Sequence, residues 1–319
     1  MSKLHVSEKH ESDVAHYTKK TTAEILLSCE KTENNEYPLL RLSSISTAND
    51  PKEGESLFDY LFSENISTED TNERKYQAFI SCFTFNHDSL NQFRLYGKEK
   101  NEEATGLSLV FKKDFFGDGK ALFEPFLLVQ SEQSSAQEVS QQAKLSLYRC
   151  MYIDPETSKL ISLGHREEYT FYRDKSIEKE VENEVETYKK NYQEKLKAIG
   201  TSLENLRKTI QEKERPLYQK VIVELLINIR YVAKHVAFKE EQECRVLKVV
   251  DLEVDPSVGT SMFVEYRGAR VCRSVKKIYF GPHASDFDDF SKRLSDKVDT
   301  EHIKCQQSTL PFRKTIREG

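Results

Sequence analysis

The chain has no tryptophan, three methionines and 11 glycines in 319 residues. Neither of the two glycine-built phosphate cradles, G-x-x-x-x-G-K-[ST] and G-x-G-x-x-G, occurs in it. Kinase and Rossmann readings therefore lack their usual anchor. H-E-x-x-H and G-x-S-x-G are missing too, which removes the best-marked zinc-protease and serine-hydrolase readings. The six cysteines (Cys29, Cys82, Cys150, Cys244, Cys272, Cys305) never form C-x-x-C. Several sit in apolar strand-like runs, where cysteine behaves as a small hydrophobe. No metal site and no disulfide framework is expected, and a reducing compartment fits best. No run approaches the roughly 18 apolar residues of a membrane span. Residues 1–13 are polar, with no hydrophobic stretch of a signal peptide, and read as a flexible leader. Synthesis in the cytoplasm is expected, with delivery into another cell left open. A strong charge of one sign is also lacking: 53 acidic against 48 basic residues give a net −5. That argues against a mainly electrostatic nucleic-acid binder.

Charged residues make up 32% of the chain and apolar residues 37%, enough for a sizeable core under a very polar surface. Period-two alternation predicts strands over Leu39 to Ile45, Ala78 to Phe85, Gly106 to Phe111, Leu122 to Val129 and Leu147 to Ile153. Short helices are expected at Thr21 to Cys29, with Ile25, Leu26 and Cys29 on one face, and around Leu57, Tyr60 and Leu61. At about Tyr172 the pattern changes. Ile177, Val181, Val185, Tyr188, Tyr192, Leu196, Ile199 and Leu203 recur every three or four residues among Glu, Lys and Gln. That spacing predicts a long amphipathic helix. Pro216 marks the turn into a second, more apolar helix, Leu217 to Ala237. Residues 172–236 thus read as a helical hairpin inserted into an α+β core of residues 14–171 and 237–319. Its charged faces read as solvated, and it is also the natural place for a protein partner. Strands at Val264 to Tyr266 and Lys276 to Phe280 and a helix through Phe287, Phe290 and Leu294 complete the chain.

The strongest candidate for chemistry is Phe-Lys-Glu-Glu-Gln-Glu-Cys-Arg at 238–245, running into Val246, Leu247, Val249 and Val250. Read as a strand, it places Glu241, Glu243 and Arg245 on one face, two carboxylates about 7 Å apart with a guanidinium next in line, and Gln242 and Cys244 on the other. The bland alternative is a salt-bridged edge strand. Other candidates are His16-Tyr17-Thr18, the turn Asn49-Asp50-Pro51 with Glu53, and the aromatic pair Phe93 and Tyr96. Each has an ordinary reading as well: a histidine beside a helix N-cap, a turn, and two core aromatics.

In order, these segments resemble a bacterial domain family of uncharacterised function. That family carries an aromatic-Tyr start, an N-D-P-x-E turn, a Ser/Phe strand, aromatic-x-x-Tyr before a Gly-led strand, and W-x-x-E-x-E-x-R. Here the matching residues are Asn49, Asp50, Pro51 and Glu53, then Ser81-Cys82-Phe83-Thr84, Phe93 and Tyr96 with Gly106, and Phe238, Glu241, Glu243 and Arg245. A closing strand and Gly-Pro, Ile278 to Pro282, also fits. The likeness covers about residues 16–111 and 230–295, with Phe93 and Phe238 where the family has tryptophan.

More distantly the order resembles the ADP-ribosyltransferase superfamily. His16, the Ser81 to Thr84 strand and Glu241-Gln242-Glu243 hold the ranks of its three motifs. That resemblance implies a split, mainly antiparallel sheet and a reaction on NAD. Breaking the nicotinamide–ribose bond passes through an oxocarbenium-like sugar, as in glycoside hydrolysis. The resemblance gives Glu243 the role of stabilising that cation, and Glu241 that of positioning or deprotonating the acceptor. His16, Tyr17, Thr18, Ser81, Phe83, Tyr96 and Arg245 would hold the cofactor. The expected function is ADP-ribosyl transfer from NAD to an unknown macromolecular acceptor, by a bacterial toxin, effector or defence protein. Two alternatives stay open: a phosphodiesterase or nuclease with Asp50, Glu241 and Glu243 around Mg²⁺, and a non-catalytic sensor or adaptor that binds a partner through the hairpin.

Overall fold

The alternating and helical patterns of the sequence resolve into a chain of short strands interrupted by one long helical excursion. The computed structural model describes residues 13–31, 35–48, 50, 53–62, 75–98, 102–117, 144–167, 175–284, 287–297 and 303–312. The first part contains β1 (Val14–Thr18), α1 (Lys20–Leu27), β2 (Leu40–Ser44), α2 (Ser56–Leu61), β3 (Tyr76–Thr84), α3 (Leu90–Tyr96) and β4 (Leu107–Phe111). β5 (Leu147–Arg149), β6 (Met151–Asp154) and β7 (Lys159–Leu163) follow, and then α4 (Lys175–Thr209) and α5 (Arg215–Arg230). The last part is β8 (Ala233–His235), a 3-10 helix Val236–Glu241, β9 (Glu243–Asp251), β10 (Phe263–Tyr266), α6 (Val271–Ser274), β11 (Val275–Phe280), α7 (Phe287–Lys297) and β12 (Lys304–Gln307). The fold is α+β with a mainly antiparallel sheet; β11–β12 and β6–β8 are its parallel pairs among the described residues.

β3 organises the main sheet. Along one edge it pairs with β9 from Tyr76↔Asp251 to Thr84↔Glu243, and β5 adds to the far side of β9. Its other edge is divided between two strands. β2 pairs at Ser43↔Ile80 and Ser44↔Phe79, while β1 pairs only at Ala15↔Thr84. Between these pairings, among the described residues, no strand pairs with Ser81, Cys82 and Phe83 on that edge. The sheet therefore opens in its middle, with β10-β2 on one side and β1-β4-β11-β12 on the other.

Strand alternation sends Phe79, Phe83 and Phe85, with Leu107, Leu109, Phe111 and Val246, into one core. Phe83 packs edge-on against Phe111 and Phe116. α1 covers the same face through Ala23, Leu26 and Leu27. Ile25, expected to share that buried face with Leu26 and Cys29, is 61% exposed, because the 100° step of the helix carries it past the contact.

A second core forms around the three-stranded sheet β7-β6-β8. Met151, Ile153, Leu160 and Leu163 meet Leu57, Phe58 and Tyr60 of α2 there. Val181, Val185, Tyr192 and Leu196 of α4, with Tyr218, Ile222 and Leu226 of α5, close it. The helical hairpin is thus packed along its apolar stripe rather than standing clear. α5 ends at Arg230 and not at Ala237, since Ala233–His235 pairs in parallel with Met151–Ile153. A short apolar run reads equally well as helix or strand, and the sheet decides. The predicted strand over Leu147 to Ile153 is likewise two strands, handing over from one sheet to the other at Cys150. The expected strand at Leu122 to Val129 lies outside the described residues.

Candidate functional site

The opening in the main sheet is the mouth of a cleft of about 670 Å³. Its walls are His16 of β1, Thr22, Ile25 and Leu26 of α1, Tyr37 to Arg41 before and along β2, and Ile80 to Cys82 of β3, where the pairing with β2 ends. Asp50, Glu53, Tyr96, Lys234, Phe238, Glu241, Glu243 and Arg245 form its polar end. The volume falls in the range of about 300–1,000 Å³ usual for small-molecule sites.

That polar end is one connected charge network. Arg245, fully buried on β9, places Nε at 2.7 Å from Glu243 Oε1 and Nη2 at 3.1 Å from Glu243 Oε2. It donates from Nη1 and Nη2 to the two oxygens of Glu53, at 2.6 and 2.9 Å, and from Nη1 to the carbonyl of Tyr231 at 2.7 Å. The N-D-P-x-E turn and the E-x-E-x-R segment, 192 positions apart, thus meet in a bidentate ion pair. Lys234 on β8 completes the cluster, donating to Glu241 Oε2 at 2.6 Å and Glu243 Oε2 at 2.8 Å. Three carboxylates share two cations, so the cluster holds more negative charge than its own partners balance.

Local backbone geometry sets these side chains. Glu241 is not on the strand: it ends the 3-10 helix, and Gln242 turns the chain through a left-handed conformation with φ 46° before β9 starts at Glu243. The shared face expected from strand alternation is therefore corrected. Glu241 and Glu243 converge because of the kink, and their common partner is the Lys234 ammonium. The kink is held from several sides. Thr84 Oγ1 and Gln92 Nε2 both donate to the Glu241 carbonyl, at 2.7 and 3.2 Å, and the His165 amide donates to Gln242 Oε1 at 2.9 Å. Glu243 donates its own amide to the Tyr152 hydroxyl at 2.7 Å, and Gly164 lies so close that a Cβ there would sit 2.2 Å from the Glu243 carbonyl oxygen. Glu53 is placed by a turn at Gly54, φ 84°, whose carbonyl accepts from Arg230 Nε at 2.9 Å.

The two glutamates differ in character. Burial would raise the Glu243 carboxyl, but Arg245 and Lys234 outweigh it and hold the group well below the usual carboxylate range. Burial raises Glu241, and repulsion from Glu243 adds to it against the pull of Lys234. Burial with the same two carboxylates also raises the Tyr96 hydroxyl, which stays protonated. Burial lowers His16, although its Nδ1 lies 2.8 Å from the Cys82 carbonyl.

Of the residues singled out in the sequence, His16, Asp50, Glu53, Ser81, Tyr96, Glu241, Glu243 and Arg245 line the cleft. Asn49 lies outside the described residues. The Ser81 hydroxyl is buried and has no hydrogen-bond partner among the described residues. Four expectations need correction. Arg245 has all five donors engaged inside the protein and none left for a cofactor. Tyr17 accepts from the Ser89 amide, donates to the Asn86 carbonyl and packs edge-on against Phe93, which makes it a brace for the β3–α3 connection. Thr18 pairs with Leu107 on β4 and does not line the cleft. Phe83 is a core side chain that reaches only a small recess beside the cleft.

Lys234, Tyr37 and Arg41 are among the cleft residues that sequence reading missed. Lys234 stood inside an apparent helix, and nothing in its neighbourhood marked it. Between Glu241 and Glu243, where a Mg²⁺-dependent reading needs a metal, stands the Lys234 ammonium. Among the described residues no group of three or more His, Cys, Asp or Glu side chains is placed to hold a metal ion. No described helix is long and apolar enough to cross a membrane. No protein-family model, curated protein or solved structure matches this chain.

Proposed function

We propose that the chain acts on NAD, breaking the bond between nicotinamide and ribose and passing the ADP-ribosyl group to an acceptor. The observation that carries this reading is the glutamate pair at the polar end of the split sheet. Glu243 and Glu241 share one ammonium yet have their acidities pushed in opposite directions. Carboxylates separated in this way divide the work of cleaving a glycosidic bond. Glu243, fixed by Arg245 and Lys234, keeps its charge and faces the oxocarbenium-like sugar as a preorganised counter-charge. Glu241, with the weaker acid, manages the acceptor's proton.

The parting of the sheet between β1 and β2, with His16 on its rim, supports this reading. The protonated Tyr96 offers a hydrogen bond to a bound nucleotide, and Arg41 adds a cation to the cleft wall. A toxin, effector or defence role follows from the chemistry, because consuming NAD or modifying its acceptor harms a cell.

The experiment is direct. The purified chain is incubated with NAD, with and without bacterial lysate, and nicotinamide release is followed by chromatography. Release that disappears in Glu243→Gln, while NAD still raises the melting temperature, is the expected result. No release in either condition, with no thermal shift by NAD, would overturn the reading.

A further inference from the structure

Beside the cleft lies an open recess of about 60 Å³, lined by Tyr17, Thr84, Gln92, Tyr96, Glu241 and Glu243 among others. It shares His16, Cys82, Tyr96, Glu241 and Glu243 with the cleft, so the two join at the glutamate pair. A cavity needs about 10–15 Å³ to admit a water, whose share of the liquid is about 30 Å³, given two to four polar partners. The recess thus has room for roughly two waters but none for a segment of polypeptide or nucleic acid. Its walls are fixed rather than adaptable. The Glu241 carbonyl is held by Thr84 and Gln92, its carboxylate by Lys234, and Tyr17 is locked between Asn86 and Ser89. Glu241, its side chain 14% exposed, is the carboxylate of the pair with more access to solvent; Glu243 is 5% exposed.

We propose that the acceptor at this site is water, seated in the recess, so that the chain hydrolyses NAD. This rests on the reading of the cleft as an NAD site and names its second substrate. The C1′–N bond breaks with its electron pair leaving on nicotinamide. The water oxygen then bonds to C1′, and its proton passes to the Glu241 carboxylate and on to solvent. NAD⁺ and water give ADP-ribose, nicotinamide and one proton.

The test uses the full chain and NAD alone, in water labelled with heavy oxygen, with mass spectrometry of every product. Nicotinamide and free ADP-ribose should appear one to one with no acceptor added, and the ADP-ribose should carry one label. Methanol, small enough for the recess, should divert part of the product to the methyl riboside, whereas cyclohexanol should not. Glu241→Gln should lose about a hundredfold in rate and lose the acid limb of the wild-type pH profile, which a purely structural role would leave in place. Nicotinamide release that leaves ADP-ribose on protein, or that requires lysate, would overturn water as the acceptor while leaving the NAD site standing. No consumption of NAD under any condition would overturn both.

Discussion

Lys234 decides the charge balance of the cleft. Without it, Glu241 and Glu243 would face each other buried with only Arg245 to hold them, and Arg245 is already shared with Glu53. Removing one partner of a buried pair costs about 3–5 kcal/mol, because the other charge stays behind. Lys234→Met should therefore lower the unfolding free energy, measured by denaturant titration, by about that much, and should cost more at neutral pH than at acid pH, where the carboxylates protonate. At Glu243 the substitution to Gln should reduce NAD turnover about a hundredfold to a thousandfold, the usual loss for one preorganised electrostatic partner. Equal turnover in wild type and variant would dismiss its role. The pH dependence of stability follows from the directions of the two shifts. Glu243 is held below its ordinary value of 4.5, so its contribution is complete above that pH and fades as pH falls towards its folded value. Glu241 is held above 4.5, so its penalty is absent in acid and grows as pH rises through its folded value. Unfolding midpoints of Glu241→Gln should thus gain on wild type as pH rises above 4.5. Those of Glu243→Gln should lose on wild type as pH rises towards 4.5 and hold a constant deficit above it.

The 3-10 helix and the strand β9 meet at a single left-handed residue, and that junction is the device that brings two glutamates to one lysine. Gln242 at φ 46° is in a region that costs a non-glycine residue on the order of 1–3 kcal/mol. Its side chain answers part of that through the His165 amide. Gln242→Gly should keep the backbone and near-normal turnover. Gln242→Val, whose branched Cβ resists positive φ, should lose both stability and activity; an active Val variant would show that the kink is dispensable. The same junction marks how far the sequence was legible. Alternation located Phe79 to Phe85 and Val246 to Val250 correctly, because each strand buries one face against a core. The residues Glu241 and Glu243 were found for a reason that does not hold, since a local kink and not a strand aligns them. The meeting of Glu53 with Arg245 was within reach once both motifs were noticed, for two charged motifs with no local partners invite pairing. Lys234 was out of reach. Its strand is three residues long, its partner β6 lies 82 positions upstream, and only tertiary pairing separates it from the helix before it.

On the scale of the whole molecule, the cleft depends on two cores that meet at several points, among them the passage from β5 to β6 and the packing of Ile227 and Tyr231 on Ala78 and Val249. β5 belongs to the main sheet and β6 to the second, and at Cys150 between them the amide donates to the Glu243 carbonyl at 3.0 Å while its own carbonyl accepts from Gly164 at 2.8 Å. Lys234 comes from the second sheet and Glu243 from the first, so their ion pair spans the junction. Integrity of the second core should accordingly be felt in the cleft. α4 supplies Val181, Val185, Tyr192 and Leu196 to that core, all buried against residues of β6, β7, α2 and α5. Truncating a buried side chain of this size typically costs about 2–5 kcal/mol, so the loss of four is as large as the roughly 5–15 kcal/mol of net stability of an ordinary domain. Replacing residues 174–215 by a flexible linker should therefore melt the three-stranded sheet and release Lys234 from Glu243. Hydrogen exchange would then show protection lost over β6, β7 and β8 but retained over β3, β4 and β11, whose partners lie in the main core. NAD turnover should vanish with the second sheet even though every glutamate remains in the chain. A linker variant that keeps β6–β8 protected and still turns over NAD would mean that α4 only decorates the fold, and that the ion pair across the junction stands without it.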